Sequence, residues 1–277
     1  MKKGSAALLF GMGALACVGA GALWMLAPGR SGREKRAPFE KRYFAHRGLY
    51  DEKAGVPENS LAAFRAAAEH GYGAELDVRL TRDGSAVISH DESTLRMTGT
   101  DLAVAATDLD ALRALRLQDT EERIPLFTEA LDILCGAGVP VIVEVKTEPA
   151  GRREELCSAV LDIMDRYDTP MCVESFDPLI VRWFRLRAPD LLRGQLLTQP
   201  SDVDLPPVKR FLGCRGLFNF LGRPQFIAHH VGKKALTVRL AELLGAMRIC
   251  WTAHDRSQER TNDAVIFEHC RPPIRYL

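Results

Sequence analysis

From Arg42 onward, short apolar strands alternate with amphipathic helices. Arg42–Ala45 is predicted to be a strand, and Ser60 to His70 a helix that Ser60 caps and Gly71 ends. The stretch VPVIVEVK, from Val139 to Lys146, is rich in β-branched residues, which is typical of a buried parallel strand. About eight such units indicate an α/β fold closed into a (β/α)8 barrel, and the 277-residue chain exceeds the roughly 250 residues that this fold needs.

The stretch AELDVRLTRDGSAVISHD, from Ala74 to Asp91, predicts two strands joined by a turn at Asp83-Gly84. Successive side chains of a strand point to opposite faces, so Glu75 and Asp77 share one face at a separation of about 7 Å. Two neighbouring carboxylates repel each other unless a cation or a proton lies between them. His90 follows the second strand, which brings an imidazole to the same end. The stretch therefore predicts a functional site with two carboxylates and an imidazole.

Other charged residues occur at the ends of two further predicted strands. His46 and Arg47 follow the first strand, and Glu144 and Lys146 share one face at the end of VPVIVEVK. A charged residue at the end of a single strand usually has no function and is simply exposed to solvent. In a (β/α)8 barrel, however, catalytic groups gather at the carboxyl ends of different strands. We therefore expect these residues to meet those of the 74–91 stretch.

The residue types in this group suit cleavage of a phosphoester. Three carboxylates without a cysteine or histidine ligand pattern favour Mg²⁺ or Ca²⁺ over zinc. Arg47 offers a planar fork that matches phosphate oxygens, and Lys146 adds a point charge. Two histidines, His46 and His90, can act as general acid and general base. A monoester would leave the second histidine without a clear role as an acid or base, so a diester is the preferred substrate.

The segments FAHRGLY, VPENSLAAF, AELDVRLTRDGSAVISHD, LRMTG, IPLFTEAL, VIVEVK and ICWTAHD occur in the order found in glycerophosphodiester phosphodiesterases. From Arg42 to the C-terminus the chain resembles that family, in its compact form without a large inserted domain. The resemblance implies a TIM barrel of the phospholipase C-like phosphodiesterase type. It also implies divalent-metal-dependent hydrolysis of glycerophosphodiesters to glycerol 3-phosphate and an alcohol.

The resemblance also assigns roles to individual residues. It implies metal ligands at Glu75, Asp77 and Glu144, an acid–base pair at His46 and His90, phosphate contacts at Arg47 and Lys146, a pocket wall at Trp251, and supporting residues at Glu58 and Asn59. Two positions depart from the family pattern. His254 stands where the family usually has Asn, which puts the polar contacts near Trp251 in doubt, and Glu268 stands where Asp is frequent.

Two alternative functions stay open. Phe218, Phe220, Leu221 and Phe226 could form an apolar lip for an acyl chain, which would favour lysophospholipase D-type hydrolysis of lipid phosphodiesters. Positions in the core, on a strand and its flanks, are nevertheless favoured for them. A non-catalytic, membrane-tethered binding module is the other alternative. Such a module is expected to have lost a charged site residue, and the sequence keeps all of them.

The N-terminal region is apolar. The stretch from Ser5 to Ala27 carries no charged side chain, and it is long enough to cross a hydrocarbon core of roughly 30 Å. Trp24 lies near its far end. A signal peptide would have a shorter apolar core. We therefore expect an uncleaved membrane anchor over residues 1–28, a basic linker over 29–41, and the barrel domain over 42–277.

The charge and the cysteine content of the chain constrain its partners and its cellular compartment. The formal net charge of +1 gives no reason to expect nucleic acid as a partner. The excess of Lys and Arg after the apolar stretch favours a cytoplasmic barrel, although a short positive tail ahead of one span can also act as a signal anchor. The seven cysteines form no CxxC pair, which favours free thiols. The oligomeric state is not predicted.

Overall fold

The computed structural model describes residues 19–148, 151–204 and 206–276. Its strands are β1 (Arg42–Ala45), β2 (Gly73–Leu80), β3 (Ala86–Ile88), β4 (Val141–Val145), β5 (Met171–Ser175), β6 (Leu192–Leu197), β7 (Phe226–His230), β8 (Met247–Ala253) and β9 (Ala264–Phe267). The predicted turn at Asp83-Gly84 joins β2 to β3, which pair antiparallel.

Eight of these strands close into a parallel barrel. Their order is β1-β9-β8-β7-β6-β5-β4-β2, and β1 pairs with β2 as well as with β9, so the sheet has no free edge. The predicted (β/α)8 barrel is confirmed. Its parallel strands place the residues that follow β1, β2, β4, β5, β8 and β9 at one mouth.

Helices surround the barrel on its outer side. The α-helices that lie wholly within the described residues are Arg33–Arg36, Leu61–Glu69, Leu95–Thr98, Leu109–Arg113, Phe127–Gly136, Arg153–Met164, Pro178–Arg187, Pro207–Gly213, Asn219–Gly222 and Leu236–Leu243, and 3₁₀ turns lie at Glu52–Ala54, Val104–Ala106 and Arg256–Arg260. The helix Pro207–Gly213 begins at the second residue of the pair Pro206-Pro207. A proline disfavours helical backbone in the residue before it but suits the first helical turn, so the Pro206-Pro207 pair sets this start.

The barrel interior is filled mainly by aliphatic and aromatic side chains. Phe44 and Phe226 are fully buried there together with Ile142 and Ile249. Gly194 makes room for one of them, since a Cβ at this position would lie 2.0 Å from the Phe226 ring. Phe226 is therefore a core residue, as the favoured interpretation of the sequence predicts, and it does not contribute to an apolar lip.

The N-terminal segment lies against the opposite end of the barrel. Residues 19–26 are helical, and Trp24 contacts Phe220 with ring centroids 6.3 Å apart, so Phe220 does not line the mouth either. In the segment predicted as a basic linker, the Gly29 N–H donates to the Arg223 carbonyl at 3.1 Å and Phe39 stacks on Phe44. Among the described residues, no helix is long and apolar enough to cross a membrane. Residues 5–18 of the predicted anchor lie outside the described residues.

Candidate active site at the barrel mouth

Three carboxylates meet at the carboxyl ends of β2 and β4. Asp77 lies opposite Glu144 in the strand register, and Glu75 lies two residues before Asp77 on the same face. One carboxylate oxygen from each residue lies within 4.8 Å of the other two, and all three side chains are buried. The alternation of side chains along a strand thus brings together the acids that the sequence predicted.

Two cations partly balance this negative charge. The Lys146 Nζ atom lies 2.7 Å from Asp77 Oδ1 and 2.8 Å from Glu144 Oε1, and Arg47 Nε lies 3.4 Å from Asp77 Oδ2. Burial by itself raises the pKa of Asp77, but Lys146 and Arg47 outweigh it and hold that pKa well below its ordinary value. Asp77 is therefore ionised.

The two glutamates are less well compensated. Burial, reinforced by Asp77 and Glu144, raises the pKa of Glu75 well above its ordinary value. Burial also raises the pKa of Glu144 to about 7, although Lys146 opposes the shift. Such crowding of buried acids is relieved when a divalent cation takes the place of protons. Oxygen-only ligands suit a hard cation such as Mg²⁺ or Ca²⁺, so the donor set fits the predicted metal.

The two predicted histidines face the same space from different elements. His46 and His90 line a cavity of about 140 Å³ together with Arg47, Glu75 and Glu144. Burial lowers the pKa of both imidazoles, that of His90 to about 4, so both are neutral at pH 7. A neutral imidazole can accept a proton, as a general base must.

A carboxylate orients each imidazole. His46 Nδ1 lies 2.8 Å from Glu268 Oε2, and its Nε2 lies 3.9 Å from Glu75 Oε2, so Nε2 faces the acidic cluster. His90 Nδ1 lies 2.7 Å from Asp91 Oδ1. A hydrogen bond at one ring nitrogen fixes which nitrogen is free to exchange a proton with a ligand.

Glu58 and Asn59 support neighbouring site residues. The Arg47 Nη1 group donates to Glu58 Oε1 at 2.8 Å, and the Asn59 side-chain amide donates to Asp77 Oδ2 at 2.7 Å. Arg96 also donates to Glu58 Oε1, at 2.6 Å. These contacts hold Arg47 and Asp77 without placing Glu58 or Asn59 at the centre of the cluster.

Trp251 forms a wall of the same cavity, on β8. Its indole N–H donates to the Ala228 carbonyl at 3.2 Å, and its ring contacts Phe176 edge-on with centroids 5.7 Å apart. His254, which stands where the family usually has Asn, has its Nε2 atom 2.9 Å from Glu268 Oε1. It is thus a second partner of the carboxylate that orients His46.

Glu174 belongs to this site but was not predicted. It lies opposite Glu144 in the register of β4 and β5, lines the cavity and is 2% exposed. Its Oε2 atom has no hydrogen-bond partner among the described residues, and burial followed by Glu144 raises its pKa well above the ordinary value. The segment VES carries Glu174 at the end of a β-branched strand, as VEV carries Glu144, and this likeness was the available signal.

Residues 46–268 match the model of the glycerophosphoryl diester phosphodiesterase family. The chain belongs to that family. Every predicted site residue of this family member, from His46 to Trp251, lies within the matched range. The described cysteines of the chain are all free thiols, as predicted, and Cys17 lies outside the described residues.

The chain is similar both to known sequences and to solved structures. It is 32% identical over 162 residues to a glycerophosphodiester phosphodiesterase from Caldanaerobacter subterraneus, an alignment that covers 55% of this chain and 65% of that protein. It is 27% identical over 149 residues to human lysophospholipase D GDPD1, covering 49% of this chain and 45% of that protein. The chain thus spans less than two thirds of the length of either relative.

A solved phosphodiesterase from Oleispira antarctica, in complex with the product sn-glycerol-3-phosphate, has the same fold. The TM-score is 0.67 at 23% identity, with 82% of this chain and 93% of that chain covered.

Proposed function

We propose that the protein hydrolyses glycerophosphodiesters to glycerol 3-phosphate and an alcohol with the help of a divalent cation. One observation carries the proposal: three buried carboxylates with ligand atoms within 4.8 Å of one another adjoin a cavity lined by His46 and His90. Family membership supports the same reaction class. A non-catalytic module is disfavoured, because the charged residues are not only present but brought together.

Glu75, Asp77 and Glu144 would hold the cation. When bound, Mg²⁺ or Ca²⁺ supplies Lewis-acid polarisation of a phosphate oxygen and neutralises its charge. Lys146, between Asp77 and Glu144, keeps these ligands close together and adds a positive charge toward the phosphate.

Arg47 binds the non-bridging phosphate oxygens. Its Nη1 group donates to Glu58, and its Nε atom is buried and lies 3.4 Å from Asp77 Oδ2. The Nη2 group is the donor that remains for a phosphate oxygen at the cavity. The Glu58 contact fixes the plane of the guanidinium in which Nη2 points.

His46 and His90 move the protons. One neutral imidazole takes the proton of the nucleophile. The other binds a proton from solvent, which the negative charge of the bound phosphodiester favours, and gives it to the departing alkoxide. The nucleophile is either water or the 2-hydroxyl of the substrate's own glycerol, in which case water then opens a cyclic phosphate. Both routes use the same two ring nitrogens. The assignment of acid and base to individual histidines is open.

Glycerol 3-phosphate release from glycerophosphocholine tests the function directly. The purified full-length chain is treated with excess EDTA, dialysed, and assayed after separate additions of Mg²⁺ and Ca²⁺. We expect activity to vanish with the chelator and to return with one of the ions. Full turnover in excess EDTA would contradict the metal assignment, and no release from any glycerophosphodiester with either ion would contradict the function.

We also propose that the uncharged stretch from Ser5 to Ala27 anchors the chain in a membrane. Its support is the length and apolarity of the sequence. Membrane fractions from expressing cells are washed at high salt and then at alkaline pH. The full-length chain is expected to stay with the lipid, and a variant with Leu8 and Leu9 replaced by Arg is expected to leave it. Release of the unaltered chain by the first wash would overturn this proposal.

A further inference from the structure

The segment over residues 29–39, predicted as part of a basic linker, is bonded to the end of the barrel that lies opposite the mouth. The Arg30 carbonyl accepts a hydrogen bond from the Gln225 side chain at 3.4 Å, and Lys35 Nζ lies 2.7 Å from Asp190 Oδ1. Gln225 directly precedes β7, and Asp190 lies two residues before β6. Both partners therefore lie at the end where the parallel strands begin.

Phe39 closes this end of the barrel from inside. It is 2% exposed, and its ring stacks on that of Phe44 with centroids 6.0 Å apart. Arg36 donates to the Gly245 carbonyl at 3.4 Å, two residues before β8. A segment that is bonded at several strand starts and buries an aromatic ring has a fixed position on the barrel, unlike a flexible linker.

Arg223 joins the preceding helical turn to the same end. Its Nη1 group donates to the Trp24 carbonyl and, at 2.8 Å, to the Ala27 carbonyl, and its guanidinium lies over the Trp24 ring, 4.4 Å from the centroid. These carbonyls lie where the helical residues 19–26 end, so they lack partners within the helix. Leu26 is 4% exposed and packs on the barrel. The last turn of this helix is therefore fixed to the barrel.

The same helix leads away from the barrel. Residues 19–25 are all exposed, and a Cβ added at Gly19 or Gly21 would meet no atom within 4 Å. The exposed side chains include Leu23 and Trp24, at 45% and 60%. Apolar side chains beside a tryptophan and an arginine suit the boundary between lipid and water. The proposed anchor is thus connected to the barrel at the end opposite the mouth.

We infer that the barrel is held on the bilayer of its anchor by this end, so that the mouth faces away from that bilayer and takes substrate from the aqueous phase. The inference rests on the proposed function and on the proposed anchor. Strand β2 has eight residues. At about 3.3 Å per residue and a tilt of about 36°, the mouth lies roughly 20 Å beyond the end that faces the lipid. A diester embedded in this bilayer does not reach His46 across that distance, whereas a dissolved glycerophosphodiester does.

Energy transfer to the lipid measures this orientation. Azidophenylalanine replaces either Ala37 or Lys53 in the full-length chain, because both are exposed and they lie at opposite ends of the barrel. Each chain is labelled with a donor dye and reconstituted into phosphatidylcholine vesicles that contain an acceptor-labelled lipid. We expect transfer from position 37 to exceed transfer from position 53 by about twofold or more.

Arg223→Ala tests the fixed attachment. Loss of the contacts to Trp24 and Ala27 lets the barrel tilt, so the ratio of the two transfer efficiencies should fall toward one. Arg215→Ala is the matched control, because Arg215 also lies over an aromatic ring, that of Phe211 at 4.0 Å, and makes no hydrogen bond to the N-terminal segment among the described residues. The control should keep the ratio of the unaltered chain. An unchanged ratio in Arg223→Ala would contradict attachment through Arg223.

Equal transfer from the two positions, or greater transfer from position 53, would overturn the inference and leave the hydrolase and the anchor intact. A chain that does not float with the vesicles would overturn the anchor and this inference, but not the hydrolase. If Arg223→Ala does not fold, the ratio in the unaltered chain decides.

Hydrolysis of glycerophosphocholine gives an independent measurement. Counted per outward-facing barrel, kcat/KM of the vesicle-bound chain should stay within about twofold of its value in detergent, because the mouth is open to water. A tenfold fall on reconstitution would mean that lipid covers the mouth and would overturn the inference. Absence of hydrolysis in both media would contradict the proposed function, whatever the orientation.

Discussion

The two sides of the barrel mouth differ in character. One side carries the charged residues that lie on or directly after β1, β2, β4, β5 and β9: His46, the paired acids, Lys146, Glu174 and Glu268. On the other, β6 and β8 present Leu196 and Trp251 beside a cavity of about 430 Å³, whose lining is mainly apolar but includes Asp202 and Asp204. Burying charge is costly, and each charged group on the first side is retained with a specific partner or a shifted pKa. The second side carries no such cost.

This difference assigns separate tasks to the two sides. Phosphorus chemistry needs fixed charges at fixed distances, and only the charged side provides them. An apolar wall can change shape without disturbing those distances, so it is suited to selecting what is attached to the phosphate. Substitutions on the charged side should therefore lower turnover of every substrate, and substitutions on the apolar side should alter only the preference among substrates.

Among residues other than the metal ligands, the largest effect is expected at the histidines. Replacing His46 or His90 with Ala removes a proton carrier, and kcat should fall by roughly 10² to 10⁴ for glycerophosphocholine and for lipid substrates alike. His70→Ala, at an exposed histidine away from the mouth, serves as the control. Near-normal kcat in either site variant would remove that histidine from the mechanism.

Glu268→Gln should have the next largest effect, on the order of 10- to 100-fold in kcat. The carboxylate holds His46 Nδ1 at 2.8 Å and so fixes which ring nitrogen faces the phosphate. Because the substitution leaves the phosphate contacts alone, KM should change little. Glu268→Asp, the residue frequent in the family, should recover part of the rate. A change confined to KM would show that Glu268 binds substrate and does not position His46.

Metal affinity should depend on pH because the cation competes with protons. Burial raises the pKa of Glu144 to about 7 and that of Glu75 well above its ordinary value, so lowering the pH through 7 adds protons that the ion must displace. Between pH 8 and pH 6 the Kd for the activating ion should rise by up to about tenfold per pH unit for each proton displaced. Calorimetric titrations in buffers of different ionisation enthalpy measure both quantities. A Kd that does not change over this range would contradict the prediction.

On the apolar side, Phe176→Ala should reduce kcat/KM by roughly threefold to tenfold for a chain-bearing substrate, as expected when apolar contact is lost. The rate for glycerophosphocholine should stay within about twofold, because Phe176 contacts none of the charged residues through a hydrogen bond. Circular dichroism of the variant controls for folding. A loss of equal size for both substrates would mean that the two sides do not divide their tasks as described.

These two sides also differ in how far the sequence predicts them. The i, i+2 spacing of Glu75 and Asp77, and of Glu144 and Lys146, is enough to place each pair on one face of its strand. Their meeting across β2 and β4 depends on strand register, which only the barrel assignment and the family resemblance supplied. The large cavity was not predicted, because it forms where the irregular chain after β6 packs beside the helix that begins at Pro207. No periodic pattern describes such a segment.

The smallest effect is expected at Glu174, where the two sides meet. Burial and Glu144 raise its pKa well above the ordinary value, which favours the neutral carboxyl, and Gln has nearly the same shape and no charge. Glu174→Gln should therefore keep kcat within about threefold, whereas Glu144→Gln, its neighbour in the strand register, removes a metal ligand and should abolish metal-dependent turnover. Equal losses in the two variants, measured at saturating metal, would instead make Glu174 a fourth ionised group of the cluster. The charged side would then extend over β5, and the boundary with the apolar side would lie between Glu174 and Phe176.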